Sequence, residues 1–140
     1  MRHVVDCSVV LKWYFQEPLS DVALGVLGRF QTGDLDLLAP DSLVPELGHS
    51  LRRLVLGGKL SIEDSYAALE EFAALPITLV SSLSLSRQAM ELAVTHMAAF
   101  YDALYLALAV SDDCRVLTAD ERMVKAFATL DRTLSLAQLA

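Results

Sequence analysis

The sequence predicts an α/β protein, a three-layer α/β/α sandwich around a short, mainly parallel central sheet. Short apolar runs alternate along the chain with longer segments whose apolar residues recur at helical spacing. The short runs are apolar at nearly every position, which is typical of strands buried on both faces of a sheet. Since neither a linker nor an internal repeat divides the 140 residues, we expect a single domain over residues 1–140.

The predicted strands are short and end at residues that favour turns or chain breaks. The first ends at Asp6, and the second is closed by Pro40, which has no N–H to donate to a neighbouring strand. The third follows Pro76, and the last is expected as an edge strand. The predicted strand segments are residues 4–5, 35–39, 77–80, 115–117 and 133–134.

The predicted helices carry start and stop residues of the usual kind. Gly57 and Gly58 end the third helix, as glycine often does just past a helix. Ser61 opens the fourth with Asp64 three residues on, which is the spacing of a capping box. The predicted helices are residues 8–15, 22–30, 42–56, 61–75, 85–96, 100–110 and 121–129.

Composition and charge exclude several classes of protein. With 54% hydrophobic and 21% charged residues, the chain is neither intrinsically disordered, nor collagen-like, nor a coiled-coil rod. Its net charge of −7 disfavours general binding of nucleic acids, because attraction to phosphates requires a positive surface potential. A negative surface potential instead attracts cations. If the protein handles a polyanion, metal ions or a local basic strip must offset the repulsion.

A small set of basic residues could form that strip: Lys12, Arg52, Arg53, Lys59, Arg122 and Lys125. Arg52 and Arg53 follow Glu46 on the same predicted helix by about two turns. For Arg53 we favour a solvated helix end near Gly57, where a cation also suits the helix dipole. For Arg52 the sequence favours neither alternative.

Cysteine usage and the chain start indicate an expected compartment. Cys7 and Cys114 lie in apolar surroundings without the spacing of a metal or redox motif, so they are interpreted as core residues. The N-terminal segment meets Asp6 too early for the apolar core of a signal peptide. The longest run with a single charge, residues 97–110, is shorter than the ~20 residues that span a bilayer. We therefore expect a soluble, cytoplasmic protein.

Two acidic residues directly follow predicted strands. Asp6 comes after the first strand, and Asp120 comes two residues after the fourth, in Thr118-Ala119-Asp120. For each residue alone, capping of the next helix is the favoured interpretation, and Thr118 and Glu121 also have the spacing of a capping box.

Two more acids lie near predicted helix starts. Asp102 interrupts a helix that is apolar nearly all round and therefore buried, so its carboxylate must be paired, protonated or bound to a cation. A hydrogen bond to a hydroxyl or an ion pair with an arginine is an equally good explanation for Asp102 alone. Glu46 alone is best explained as a solvated acid in an early helical turn.

Taken together, the four acids favour a shared site. The carboxyl ends of parallel strands meet at one edge of a sheet, and ligand sites lie beyond that edge. Carboxylates converging there would repel one another unless a cation neutralised them. Oxygen ligands without a Cys or His cluster select hard ions, Mg²⁺ or Mn²⁺, the usual apparatus of phosphate-ester chemistry.

These segments resemble the PIN-domain family, and in particular the VapC-type toxin ribonucleases of toxin–antitoxin pairs. The matching pieces lie in the same order along nearly the whole chain. They are residues 4–13, residues 39–41 leading to Glu46, residues 101–109 and residues 117–120. Each piece is a weak motif by itself, and the Tyr-Asp-Ala segment with the later Thr-x-Asp is the more specific part.

The resemblance implies a PIN-like fold and a metal-dependent endoribonuclease. The family's acidic quartet carries over onto four residues, which would hold one or two Mg²⁺ or Mn²⁺ ions and carry the catalysis: Asp6, Glu46, Asp102 and Asp120. Ser8 and Thr118 would support these ligands by hydrogen bonds at the cofactor site. Either Glu46 or Asp120 would align the attacking water. The resemblance also implies an RNA substrate, a homodimer and a cognate VapB-type antitoxin.

The sequence departs from the family pattern at His49, which stands where an Asn is frequent. This histidine could orient Glu46, contact a phosphate or mark a changed substrate. Three other functions compete with the nuclease. They are a catalytically silent PIN-like interaction module, a phosphoacceptor receiver domain and a haloacid-dehalogenase-type phosphatase. The last two expect further acids beside or two residues after the first, where this chain has Cys7 and Ser8.

Overall fold

A computed structural model describes all 140 residues and contains five strands and seven α-helices, at the predicted places. The strands are short and largely buried. Their bounds are β1 Arg2–Val5, β2 Asp36–Pro40, β3 Thr78–Val80, β4 Arg115–Thr118 and β5 Thr133–Ser135. All five form one sheet in the order β3-β2-β1-β4-β5, and every neighbouring pair is parallel. β5 is an edge strand, as predicted.

The seven helices cover the two faces of the sheet. They are α1 Cys7–Tyr14, α2 Ser20–Gln31, α3 Leu43–Leu56, α4 Ile62–Ala74, α5 Ser82–Thr95, α6 Phe100–Ser111 and α7 Glu121–Ala126. Helices α1 to α4 pack in succession, while α6 packs against α5, β1, β2 and β4. Right-handed crossovers put α1–α4 on one face and α5–α7 on the other, which confirms the three-layer α/β/α prediction.

The predicted helix limits hold at several ends. Ser61 caps α4 by accepting a hydrogen bond from the Asp64 N–H at 3.0 Å, as its spacing predicts. Gly58, just after α3, has φ +71°, a backbone conformation that favours glycine. The predicted single helix over 121–129 is instead α7 followed by a 3₁₀ turn, Ala128–Leu130.

Two element limits differ from the prediction for local reasons. β2 includes Pro40, because the β1 register ends at Leu38 and no ladder bond requires an N–H from the proline. α5 begins at Ser82 rather than at residue 85, because the Ser82 N–H donates to the carboxylate of Asp41 at 2.9 Å. The serine-rich first turn of α5 has no apolar periodicity by which a sequence pattern could mark it.

The core lies on both faces of the sheet, where α1 to α4 cover one face and α6, whose residues 103–109 are all buried, covers the other. Cys7 is buried and Cys114 half-buried, and both are free thiols, in accord with their interpretation as core residues. Taken one at a time, the helices are too short or too polar to cross a membrane. α5 and α6 reach the required length and apolarity only as a pair bent by 115°.

The chain reverses its direction of travel across the sheet at β1 and β4. From β1 it proceeds outward to β2 and β3, and it then returns through α5 and α6 to β4 on the other side of β1. The helices that follow β1 and β4 therefore leave toward opposite faces. Such a reversal opens a crevice beyond the carboxyl ends of the two strands, which is where open α/β sheets bind ligands.

Candidate active site

Asp6 lies directly in this crevice, one residue beyond β1. Its backbone N–H donates to Leu117 O at 3.0 Å, which continues the β1–β4 ladder and fixes the residue in place. Asp6 occupies the N-cap position of α1, yet its side chain makes no capping hydrogen bond. The residue is only 5% exposed. The capping interpretation of Asp6 is therefore wrong.

Two hydroxyls hold the Asp6 carboxylate instead. Ser8 Oγ donates to Asp6 Oδ2 at 2.6 Å, and Thr118 Oγ1 donates to the same oxygen at 2.8 Å. The hydroxyls are in turn held by the loop after β4, because Ala119 N–H donates to Ser8 Oγ and Asp120 N–H donates to Thr118 Oγ1. This network orients one carboxylate oxygen, and no side chain donates a hydrogen bond to the other, Asp6 Oδ1.

Glu46 reaches the same crevice from the first turn of α3. It is half-buried rather than solvated, and Tyr105, a fully buried residue of α6, donates its hydroxyl hydrogen to Glu46 Oε1 at 3.2 Å. The prediction of a solvated helix-start acid is wrong, because α3 turns this residue toward α6. The sequence pattern assigned no role to Tyr105, because this residue meets Glu46 only where α3 and α6 come together at the edge of the sheet.

Asp102 lies in the first turn of α6 and is half-buried. Its carboxylate takes part in none of the ion pairs of the molecule. It also accepts no hydrogen bond from a side chain, in contrast to Glu46 and Asp6. The alternative explanation of Asp102, a partner hydroxyl or arginine, therefore finds no support in the structure.

Asp120 has two roles. It caps α7, because its carboxylate accepts the Arg122 N–H at 3.0 Å, as the capping interpretation predicts. Its Oδ1 also lies 3.5 Å from Arg122 Nε, the longest of the ion pairs. Thr118 takes no part in capping, since its hydroxyl is bonded to Asp6.

All four acids line one cavity of about 380 Å³. Ser8 and Ala119 complete its acidic end, whereas Lys12, Glu17 and Arg53 line the rest. Residues from four separate stretches of the chain thus meet at the carboxyl ends of β1 and β4. Their convergence at this edge is what the strand-end argument predicts.

The basic residues differ in whether they line this cavity. Arg53 is an exposed residue in the last turn of α3, as predicted, and it also lines the cavity, which was not predicted. Arg52, like Lys59 and Lys125, lines neither this cavity nor a second cavity that lies beside it. Lys12 lines the cavity but is paired with Glu17 at 3.1 Å. The seven-residue spacing from Glu46 to Arg53, which puts both on one face of α3, was the available sequence signal.

Burial and mutual repulsion shift the acids toward their protonated forms. Burial, then the charge of Asp6, raises the pKa of Glu46 to about 7, against the opposing hydrogen bond from Tyr105. Burial, then the charges of Asp6 and Asp120, raises the pKa of Asp102 to about 6. Burial also raises the pKa of Asp6, although its bonds from Ser8 and Thr118 act in the opposite direction. A bound cation would remove this penalty.

The donor set fits a hard divalent cation. The acids offer only carboxylate oxygens, and burial raises the pKa of the nearby Cys7 thiol, so a soft thiolate ligand is not offered. As positioned, no three His, Cys, Asp or Glu side chains form a ready-made metal cage. Mg²⁺ usually takes only one or two carboxylates directly and keeps several waters. The residues therefore fit an ion held partly through water.

Comparison with known proteins identifies relatives of this chain. A family model described as PIN domain matches residues 3–128. A protein named ribonuclease VapC1 from Mycobacterium tuberculosis is 41% identical over 90 residues, which span 63% of this chain and 65% of that relative. A protein named ribonuclease VapC3 from Pyrobaculum aerophilum is 29% identical over 134 residues, which span 93% of this chain and 98% of that relative.

Solved structures show that the fold is shared at low sequence identity. VapBC2 from Rickettsia felis, solved bound to a DNA fragment from its promoter, has a TM-score of 0.70 at 12% identity and covers 96% of this chain and 97% of its own. VapC20 from Mycobacterium tuberculosis, described as a toxin that cleaves the sarcin-ricin loop, has a TM-score of 0.67 at 16% identity and covers 90% of this chain and 95% of its own.

Proposed function

The chain belongs to the PIN-domain family, and on that premise we propose that it is a metal-dependent endoribonuclease, the toxin component of a VapBC-type toxin–antitoxin system. The observation that carries the proposal is the cavity in which Asp6, Glu46, Asp102 and Asp120 meet. The names of the curated relatives support the same activity. The substrate class is RNA, and the reaction is hydrolysis of a phosphodiester bond.

Asp6, Asp102 and Asp120, with Glu46, would hold Mg²⁺ or Mn²⁺. When bound, the ion lowers the pKa of a water molecule and offsets the charge that develops on the phosphate. Ser8 and Thr118 fix Asp6 through Oδ2, so that its other oxygen is directed to the cavity. Because each acid matters only while the others hold the same ion, their contributions are expected to be non-additive.

Glu46 is the better placed of the two acids that could align the attacking water. Its carboxylate accepts a hydrogen bond from Tyr105 and takes part in none of the ion pairs. The Asp120 carboxylate is already engaged by the backbone N–H and the guanidinium of Arg122. Glu46 would accept the proton of the water as its oxygen attacks phosphorus, and the leaving ribose oxygen takes up a proton as the P–O bond breaks.

The proposed partners are a second copy of this chain and a VapB-type antitoxin. α4 and α5 leave apolar side chains uncovered at helical spacing, with Tyr66 on α4 and Met90 and Val94 on α5 at least half exposed. The fold shared with VapBC2 supports an antitoxin partner. An acidic cavity would accept a basic side chain from such a partner. The proposed location is the cytoplasm.

Calorimetry and RNA cleavage together test the proposal. We expect wild-type protein to bind Mn²⁺ and to cleave RNA only with Mg²⁺ or Mn²⁺ present, whereas Asp6→Asn loses both properties and keeps the fold by circular dichroism. Asp36→Asn, at an exposed acid at the start of β2, is the matched control and retains both. Absence of Mn²⁺ binding and of cleavage in the wild type would favour the silent interaction module instead.

A further inference from the structure

A second cavity opens beside the first and shares its acidic wall. Glu46, Asp102 and Asp120 line both cavities, so any group bound in the second lies next to the proposed metal site. The second cavity is the larger, with about 710 Å³ against about 380 Å³. Its other residues differ sharply in character, because they are mainly basic or aromatic.

Three helices contribute these residues. His49 and Arg53 follow Glu46 on α3 at the spacing of one helix face, Tyr101 precedes Asp102 on α6, and Arg122 lies in the first turn of α7. Two arginines, a histidine and an aromatic ring thus line one cavity together with three of the four acids.

The basic groups are free to bind an anion. Arg53 takes part in none of the ion pairs of the molecule, although it lies among carboxylates. Arg122 is held only by its 3.5 Å contact with Asp120, and its side chain is 92% exposed. A guanidinium matches two phosphate oxygens at once, which makes arginine well suited to a phosphodiester.

Tyr101 offers the complementary surface for a base. It is 62% exposed although it begins a helix that is otherwise buried, and no hydrogen bond ties its hydroxyl to the protein. An exposed ring beside arginines is a typical stacking platform for nucleic-acid bases. A base can enter such a recess only when it is unpaired and unstacked, because the bases of an RNA duplex are enclosed by their neighbours.

We propose that this second cavity is the nucleotide subsite of the nuclease, in which Tyr101 stacks the unpaired base next to the cleaved bond while Arg53 and Arg122 hold the adjoining phosphates. The proposal rests on the proposed endoribonuclease function and adds the residues that would select the nucleotide beside the cut. His49 lies on α3 between Glu46 and Arg53, within reach of the same nucleotide.

Kinetics on a short RNA hairpin with a cleavable loop test the stacking role. We expect Tyr101→Leu to raise KM roughly tenfold, which corresponds to about 1.4 kcal/mol, and to flatten the base preference beside the cut in a randomised loop. Tyr101→Phe keeps the ring and is expected to stay near wild type. The matched control is Leu56→Ala, since Leu56 is 69% exposed and lines neither cavity.

Salt dependence tests the phosphate contacts. We expect Arg53→Ala to weaken RNA binding and to lower the slope of log affinity against log salt by roughly 1, as the loss of one phosphate contact predicts. Arg52→Ala removes the same charge from the next position of α3, outside both cavities, and is expected to leave the slope nearly unchanged.

Binding in an inactive background separates this inference from the nuclease proposal. Asp6 lines only the first cavity, so Asp6→Asn leaves the second intact, and fluorescence anisotropy of labelled RNA with Mg²⁺ reports its occupancy. Weaker binding on adding Tyr101→Leu supports the subsite even if the wild type cleaves no RNA. If Tyr101→Leu and Arg53→Ala both match their controls, or weaken only the binding of a protein partner, the subsite is refuted whether or not cleavage occurs.

Discussion

Acidic residues at the two ends of the sheet differ in whether they form ion pairs within the chain. At the amino end, Asp112 pairs with Arg2 at 2.8 Å, Asp113 with Arg132 at 2.8 Å and Asp131 with Arg115 at 3.3 Å. At the carboxyl end, four acids line one cavity, and a single contact of 3.5 Å, from Arg122 to Asp120, offsets their charge.

The difference shows which carboxylates lack a compensating positive charge within the chain. The amino-end carboxylates are neutralised within the chain and lie at the surface, where such pairs contribute little. The carboxyl-end carboxylates are buried or half-buried and uncompensated, a state that folding alone does not favour. The partner that we propose for them is a divalent cation, and this is why the proposed function is placed at this end of the sheet.

The sharpest test of the comparison removes one acid from each end. Asp102→Asn is expected to lower the rate of RNA cleavage by at least about a thousandfold, because it removes a member of an interdependent group. Asp112→Asn is expected to cleave within about twofold of wild type, since it disrupts only a surface pair. Single-turnover rates with Mn²⁺ measure both. A double variant Asp6→Asn/Asp102→Asn that is far slower than either single one would contradict the shared site.

A smaller effect is expected from the hydroxyl that holds Asp6. Thr118→Val leaves the Asp120 N–H without its acceptor and Asp6 with one donor fewer. We expect a loss of about 1–3 kcal/mol in the free energy of unfolding and roughly 10–100-fold weaker Mn²⁺ binding. Urea denaturation and calorimetry provide the two values. Thr78→Val, on the exposed edge strand β3, should change neither appreciably.

The stability of the metal-free protein should depend on pH through the acids at the carboxyl end of the sheet. The folded-state pKa of Glu46, about 7, lies above its ordinary value of 4.5. In the metal-free protein, the stability that comes from protonated Glu46 is therefore fully present below about pH 4.5. It is lost as the pH rises through 7. Glu46→Gln stays uncharged, so we expect it to be more stable than wild type by about 1–2 kcal/mol at pH 8, after allowance for partial exposure.

Thermal unfolding from pH 4.5 to 8 in the presence of a chelator measures this difference. At the acidic limit the two proteins should unfold at nearly the same temperature. The control Glu91→Gln, on the exposed face of α5, should unfold at the wild-type temperature at every pH. Addition of Mn²⁺ should raise the unfolding temperature of the wild type at pH 8. A gap between Glu46→Gln and wild type that is constant over the pH range would contradict the assigned cause.

The smallest effect is expected at the amino end itself. Arg2→Ala breaks a pair in which the arginine side chain is 54% exposed. Its free energy of unfolding should change little, and any loss should shrink at high salt. RNA cleavage should not change. A measurable loss of Mn²⁺ binding in this variant would mean that the two ends are coupled.

The sequence predicted the sheet and the meeting of the acids because both depend on short-range pattern. Apolar runs mark buried strands, and parallel strands bring Asp6 and Asp120 to one edge. What escaped prediction depends on how helices rotate when they pack. Arg53 lines the cavity, and Tyr105 bonds to Glu46, because α3 packs against α1 and its first turn meets α6 at the carboxyl edge of the sheet.

The bond from Thr118 to Asp6 joins residues 112 positions apart in the chain. During synthesis the first of them is made almost at once, and the other only when β4 emerges near the end. An unfinished polypeptide that lacks β4 has neither the hydroxyl that steadies Asp6 nor the loop that carries Asp120. Nascent chains and products of premature termination therefore lack a complete cavity, and the activity of the cavity depends on synthesis through β4.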